Sequence, residues 1–211
     1  MKLIAAEQRI DPVPAPIAAD VELSPSVIKI LSGALDAIAS RGVRRLSMSD
    51  IIDASGVSRG TLYRYFSNKD EVLAAVSEFV CVGFENGVRE AGQGIADPIE
   101  RLREVMLFYS RYTNENSPDR VFEVEPAFHL AFFRSRFGRY KAAVGDALAP
   151  VFGHFEASLG SALDREAFCE TLVRLQLSTL LVPADDAFAR RWNEAPDMIE
   201  QWALNLARQH T

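Results

Sequence analysis

Between Ser24 and Gly42 the apolar residues Val27, Ile30, Leu31, Ala34, Leu35, Ile38 and Ala39 recur at spacings of three and four. On a helix of 3.6 residues per turn that spacing gives a single apolar stripe. Ser24 supplies an N-cap, Pro25 a first helical residue and Gly42 the stop. Two further cap pairs follow, Ser47 with Asp50 and Ser67 with Asp70, with a Gly56-Val57 turn between the helices they frame. The helix starting near Lys69 is long, with Val72, Leu73, Val76, Phe79, Val80, Gly83 and Phe84 on one face, and Gly92-Gln93-Gly94 breaks it. Asp97 and Pro98 open the next, carrying Ile99, Leu102, Val105, Met106 and Tyr109, and Asn114 to Pro118 reads as a turn. An aromatic-rich stretch then runs to Gly160, Asp164 starts a helix that Pro183 ends, and Pro196 starts a last one. No stretch alternates as a strand would. The pattern predicts an all-α chain of about nine helices, with a mobile arm at 1–23 that holds Pro12, Pro14 and Pro16.

The stretch from Ser47 to Leu73 differs from the rest in where its polar groups fall. Its middle segment is only about eight residues long, yet it carries Arg59, Thr61, Tyr63, Arg64 and Tyr65. Leu62 and Phe66 lie four apart and define an inward face, so Gly60 and Arg64 point away from it, flanked by Thr61 and Tyr63. A glycine inside a helix costs roughly 1 kcal/mol against alanine. Close approach of the backbone to an outside surface would offset that cost. Three short capped helices with this outward face predict a helix-turn-helix whose second helix enters a DNA groove. Arg59 and Arg64 would reach bases or phosphates, Thr61 a phosphate or thymine methyl, and Ser47 and Ser58 would cap helices whose free amides suit phosphate. Lys69 sits unfavourably at the start of its own helix, which a phosphate would repair.

The net charge of −6 argues against a nucleic-acid partner only until it is mapped. Residues 81–211 hold 14 basic and 19 acidic groups, whereas residues 23–80 hold 7 and 6. Between residues 41 and 64, Arg41, Arg44, Arg45, Arg59 and Arg64 face only Asp50 and Asp53. Phosphate contact needs such a local patch, not a basic protein. Two cysteines, Cys81 and Cys169, without C-x-x-C spacing, predict neither a disulfide scaffold nor a cysteine-built zinc site, and fit a reducing cytoplasm. The first twenty residues lack the basic start and apolar run of a signal peptide, and no apolar run suffices to span a bilayer. No G-x-S-x-G, H-E-x-x-H or Gly-rich phosphate loop occurs, and His129 and His154 have no clustered partners, so no enzyme, cofactor or metal is expected.

Asp50-Ile51, Ala54, Gly56-Val57-Ser58, Gly60-Thr61, Tyr63, Tyr65-Phe66, Lys69-Asp70-Glu71 and Leu73 together resemble the TetR family of bacterial transcriptional repressors. The resemblance covers residues 27–75. It implies three DNA-binding helices over 24–70 and a helical ligand-binding and dimerisation domain over 71–211. It also implies DNA contacts at Ser47, Arg59, Thr61, Tyr63, Tyr65 and Lys69, to which the reading of the residues themselves adds Arg45, Ser58, Gly60 and Arg64. The chain departs from the family pattern at Ile52 and Ser55, where alanine is usual.

Residues 98–211 carry no motif and are read physically. An effector pocket needs apolar walls with a few polar groups. Phe108, Tyr112, Phe128, Phe132, Phe133 and Leu172 are candidates for the walls, and His129 and Gln176 for the polar contacts. A mainly hydrophobic small-molecule effector is expected. The helices near 165–182 and 196–209 are candidates for a homodimer interface through Phe168, Leu172, Leu175, Met198, Ile199, Trp202 and Leu206, and the resemblance implies that they form a four-helix bundle. The partners expected are a double-stranded DNA operator, an effector and a second copy of the chain, with no membrane.

Overall fold

Short caps and turns divide this chain into helices that each bury one stripe. The computed structural model describes residues 24–116, 126–181 and 186–209 of the 211, and among them every regular element is helical. In order these are α1 (Pro25–Arg41), α2 (Met48–Ser55), α3 (Arg59–Tyr65), α4 (Lys69–Gly92), α5 (Pro98–Asn116), α6 (Pro126–Ala147), α7 (Ala149–Leu159), α8 (Arg165–Leu181) and α9 (Asp186–Gln209). The expected arm at 1–23 lies outside the described residues. Two compact units are formed, Met1–Phe79 with Asp119–Ser135, and Val80–Pro118 with Arg136–Thr211. The division falls inside α4 and inside α6.

In the first unit, α1 buries Val27, Ile30, Leu31, Ala34 and Ile38, α2 buries Ile51, and α3 buries Leu62. The three helices pack on one another. α1 meets α2 at backbone distance, because a Cβ on Gly33 would lie 2.5 Å from both N and Cα of Ser55. Gly56 then closes α2 in the left-handed conformation at φ 67°, which a glycine adopts without strain.

The second unit is organised around α5, which buries Leu102, Val105, Met106 and Tyr109. Its backbone and side chains exchange bonds with three other helices. The Arg101 Nε donates to the Ala147 carbonyl of α6 at 2.6 Å. The Gln176 amide of α8 donates to the Tyr109 carbonyl at 2.7 Å, and the Trp192 indole of α9 to the Met106 carbonyl at 2.9 Å. Arg103 pairs with Asp197 of α9 at 2.6 Å. The Arg139 Nε and Nη2 of α6 reach the two carboxylate oxygens of Glu85 on α4, at 2.7 and 2.8 Å.

Three local expectations are corrected. The cap of α4 is Asn68 with Glu71, not Ser67 with Asp70: the Glu71 amide donates to Asn68 Oδ1 at 3.0 Å while the Ser67 amide donates to Glu71 Oε2 at 2.7 Å. Asn114, where a turn was expected to start, lies inside α5, which continues through Asn116, and the rest of the expected turn lies outside the described residues. Pro196 lies inside α9, which starts ten residues earlier at Asp186. An internal proline costs a helix about 3 kcal/mol, and here tertiary bonds on either side of it, from Trp192 and Asp197, hold the helix on both flanks.

Candidate nucleic-acid interface

The helix-turn-helix face is assembled from caps outward. Ser47 caps α2 reciprocally: its hydroxyl accepts from the Asp50 amide at 3.2 Å and its own amide donates to Asp50 Oδ2 at 2.9 Å. Those bonds from Ser47, and then the adjacent Arg41 guanidinium, hold the Asp50 carboxyl below its ordinary range. Arg41 is thus spoken for by Asp50. Arg45 is exposed in the turn between α1 and α2. Ser58 caps α3, accepting from the Thr61 amide at 3.0 Å, and its hydroxyl shares a 2.8 Å hydrogen bond with the Thr61 hydroxyl.

On α3 the inward residues are Leu62, fully buried, and Phe66 just beyond the helix end. Arg59, Gly60, Tyr63, Arg64 and Tyr65 are all exposed. Each arginine lies over a tyrosine. The Arg59 guanidinium sits 5.8 Å from the Tyr63 ring centre and that of Arg64 4.8 Å from the Tyr65 ring centre, the range of cation–π attraction. Tyr65 is further engaged, its phenol oxygen accepting from Arg64 Nη2 at 3.2 Å and from the Ser24 hydroxyl at 3.3 Å. The Ser24 bond first, and Arg64 second, pull the Tyr65 phenol below its ordinary value. α3 is therefore tied to the N-cap of α1, a contact between residues 41 apart that no local pattern announces. Lys69 is likewise occupied, donating to the Val43 carbonyl at 3.2 Å. Its unfavourable position at a helix start is answered within the protein.

The eight residues expected to line an effector pocket divide between the two units. Phe128, His129, Phe132 and Phe133 belong to the first, where Phe128 contacts His129 edge-on at 5.4 Å and Phe132 contacts Phe133 at 5.3 Å. Phe108, Tyr112, Leu172 and Gln176 belong to the second. There Phe108 and Tyr112 lie 5.4 Å apart in a ring cluster with Phe84, Tyr109 and Tyr140. Phe108 sits on bare backbone, since a Cβ on Gly87 would come within 2.4 Å of its ring. Leu172 and Gln176 are buried, and Gln176 is bonded to α5 as described. The Tyr112 phenol donates to the Val80 carbonyl at 3.3 Å, and burial raises its pKa to about 12. Burial raises those of Tyr109 and Tyr140 further. Sequence spacing showed these as aromatic positions but carried no sign of the cluster, which three helices, α4, α5 and α6, build.

Of the residues expected at a dimer interface, Leu175 and Met198 are 43% and 62% exposed, Phe168 and Ile199 are half-buried, and Leu172 is buried. The side chains of Trp202 and Leu206 lie outside the described residues. Among the described residues no helix is long and apolar enough to cross a membrane, and no cluster of metal-ligating side chains occurs.

Residues 30–76 match the family model of bacterial regulatory proteins, tetR family. The chain is 40% identical over 50 residues to the uncharacterised HTH-type transcriptional regulator YvdT of Bacillus subtilis, a match that spans 24% of this chain and 26% of that protein. It is 22% identical over 174 residues to the HTH-type transcriptional regulator TtgR of Pseudomonas putida, spanning 82% of each. A putative transcriptional regulator from Pseudomonas aeruginosa PAO1 shares its fold with a TM-score of 0.62 at 18% identity, over 86% of this chain and 92% of that one.

Proposed function

We propose that this chain, which belongs to the tetR family of bacterial regulatory proteins, is a dimeric repressor that leaves its DNA operator when a mainly hydrophobic small molecule binds. The observation that carries the DNA-binding part is the outer face of α3, where two arginines and two tyrosines stand exposed around Gly60 while Leu62 and Phe66 face inward. An exposed face of this composition suits a polyanionic groove. Ser47, Ser58, Arg59, Gly60, Thr61, Tyr63 and Arg64 form the contact surface, with Arg45 supplying charge beside it. Tyr65 and Lys69, whose polar ends are already bonded within the protein, hold that surface in position. The chain works as a regulator and not as an enzyme, in the cytoplasm where a bacterial operator lies.

The effector reading draws support from the ring cluster around Phe84, Phe108, Tyr109, Tyr112 and Tyr140. Edge and tilted ring contacts of this kind form apolar walls that accept a further ring or an acyl chain. α4 carries both Phe84 and, through Lys69, the end of the DNA-binding unit. A ligand that binds one position of α4 more tightly than another would shift operator affinity by that difference. The dimer forms through α8 and α9, where Leu175 and Met198 leave apolar surface exposed. A band-shift assay with DNA upstream of the chain's own gene tests the first part. Wild-type protein should retard the fragment, and Arg59→Ala with Arg64→Ala should not. Equal retardation by both would overturn the assignment of α3.

A further inference from the structure

We infer that Arg59 is the residue of α3 that reads a guanine in each operator half-site, with Tyr63 as the platform that holds it. The inference rests on the DNA-binding reading above and names which base that surface selects. The two arginines of α3 are not equivalent. Arg64 is tethered: it lies over Tyr65, donates to the Tyr65 phenol at 3.2 Å, and that phenol is tied to Ser24. Arg59 lies over the ring of Tyr63, 5.8 Å from its centre. Stacking on a ring face uses none of the guanidinium N–H donors, which lie in the plane of the group. Among the described residues no hydrogen bond or ion pair engages them. The result is a planar donor fork, oriented by the protein and left available at the surface.

A second observation points to a partner at the same place. Gly60 follows Arg59 directly, and a Cβ there would meet only the Ser58 hydroxyl, at 3.9 Å. Nothing within the described protein requires glycine at 60, although glycine weakens a helix by roughly 1 kcal/mol against alanine. The space is needed by something outside. Tyr63 leaves 45% of its surface exposed, and its ring lies under the Arg59 guanidinium as a platform.

The base follows from the chemistry of the fork. In the major groove guanine presents two acceptors, N7 and O6, side by side, which match two parallel N–H donors. Adenine presents N7 beside an N6 amino donor, which would face an N–H of the arginine, and cytosine presents only a donor. A bidentate arginine–guanine pair discriminates against the wrong base by roughly 5- to 150-fold.

The test uses the full-length protein and a randomised duplex library, from which bound sequences are selected and read. The expected result is a guanine enriched at one position per half-site. Replacing it by 7-deazaguanine, which lacks the N7 acceptor, should weaken wild-type binding about tenfold or more. Arg59→Ala should bind the guanine and adenine operators equally. Selection of the same guanine by Arg59→Ala, or indifference of the wild type to 7-deazaguanine, would overturn the inference and leave the DNA-binding reading intact. Failure of the wild type to retain any duplex would overturn both. The modified-base arm needs no protein variant, so a folding defect cannot imitate its result.

Discussion

Gly33→Ala should drive α1 and α2 apart. The added Cβ would sit 2.5 Å from the N and Cα of Ser55 and 2.6 Å from its Cβ. An ordinary van der Waals contact between such atoms is near 3.5 Å, so about 1 Å must be found. The obstructing atoms are backbone of α2, which cannot rotate out of the way as a side chain end can. Overpacking of this kind costs about 1–3 kcal/mol, and the rigid obstacle places it at the upper end. Removing a helical glycine returns up to about 1 kcal/mol. The net loss is then about 2 kcal/mol, which for a chain of this length lowers the melting temperature by roughly 4–8 °C. Circular dichroism melts of wild type and variant measure it. Operator binding should weaken in parallel, because α2 sets where α3 stands. A variant as stable as the wild type would refute the close approach of the two helices at Gly33 and Ser55.

Gly60→Ala should do the reverse: with open space around its Cβ it should stabilise the fold by up to about 1 kcal/mol yet weaken operator binding, and a variant that binds DNA as well as wild type would remove the need for close backbone approach. Tyr65→Phe keeps the ring under Arg64 but deletes the bonds to Ser24 and Arg64. It should lower operator affinity as much as Ser24→Ala does, since both cut the same tether; a loss with Tyr65→Phe and none with Ser24→Ala would make Tyr65 a DNA ligand instead. Alkaline titration followed by tyrosinate absorbance should resolve the five tyrosines into classes. Tyr65 should ionise below 10.0 and Tyr112 near 12, with Tyr109 and Tyr140 later still. Since the buried phenols have folded pKa values above their unfolded ones, the stability linked to them is present below pH 10 and is lost as pH rises through 12. Ionisation of all five in one step with helix content intact would refute the burial of that cluster.

The first three helices were legible because each is written locally. Ser24, Ser47 and Ser58 sit three residues before the amides they cap, and Leu62 and Phe66 mark the inward face within one turn. The cap of α4 was misplaced by one residue because Ser67-Asn68 offers two capping side chains and Asp70-Glu71 two acids, and only the folded chain selects between them. Pro196 misled for a different reason: the rule that proline begins helices is local, whereas α9 is held by tertiary bonds from Trp192 and Asp197 to α5. The same distinction limits the candidate site. The exposed chemistry of α3 could be listed from the chain, but the partners that divide its side chains into tethered and available ones come from residues far away, Ser24 for Tyr65 and Val43 for Lys69. The aromatic positions of the second unit were visible as residue types only, because the ring cluster is a property of three helices together.

Glu85 and Arg139 offer the sharpest test of how α4 is held within the second unit. The pair is bidentate, at 2.7 and 2.8 Å, and its side chains are only 21% and 35% exposed. Exposed ion pairs contribute about 0.2–1 kcal/mol in double-mutant cycles. Two charge-assisted bonds in a fork geometry and partial shelter from water should raise the coupling, to between about 1 and 2 kcal/mol. Glu85→Gln alone should lose more than the coupling itself, because it leaves the Arg139 charge partly desolvated. The cycle needs Glu85→Gln, Arg139→Gln and the double variant, each melted in urea at low and high salt. High salt should remove little of the coupling, since a half-buried pair is poorly screened. A coupling below about 0.3 kcal/mol, the level of an ordinary surface pair, would mean that α4 is fixed there by packing of Phe84 and Val88 alone, and that the ion pair contributes solubility rather than position.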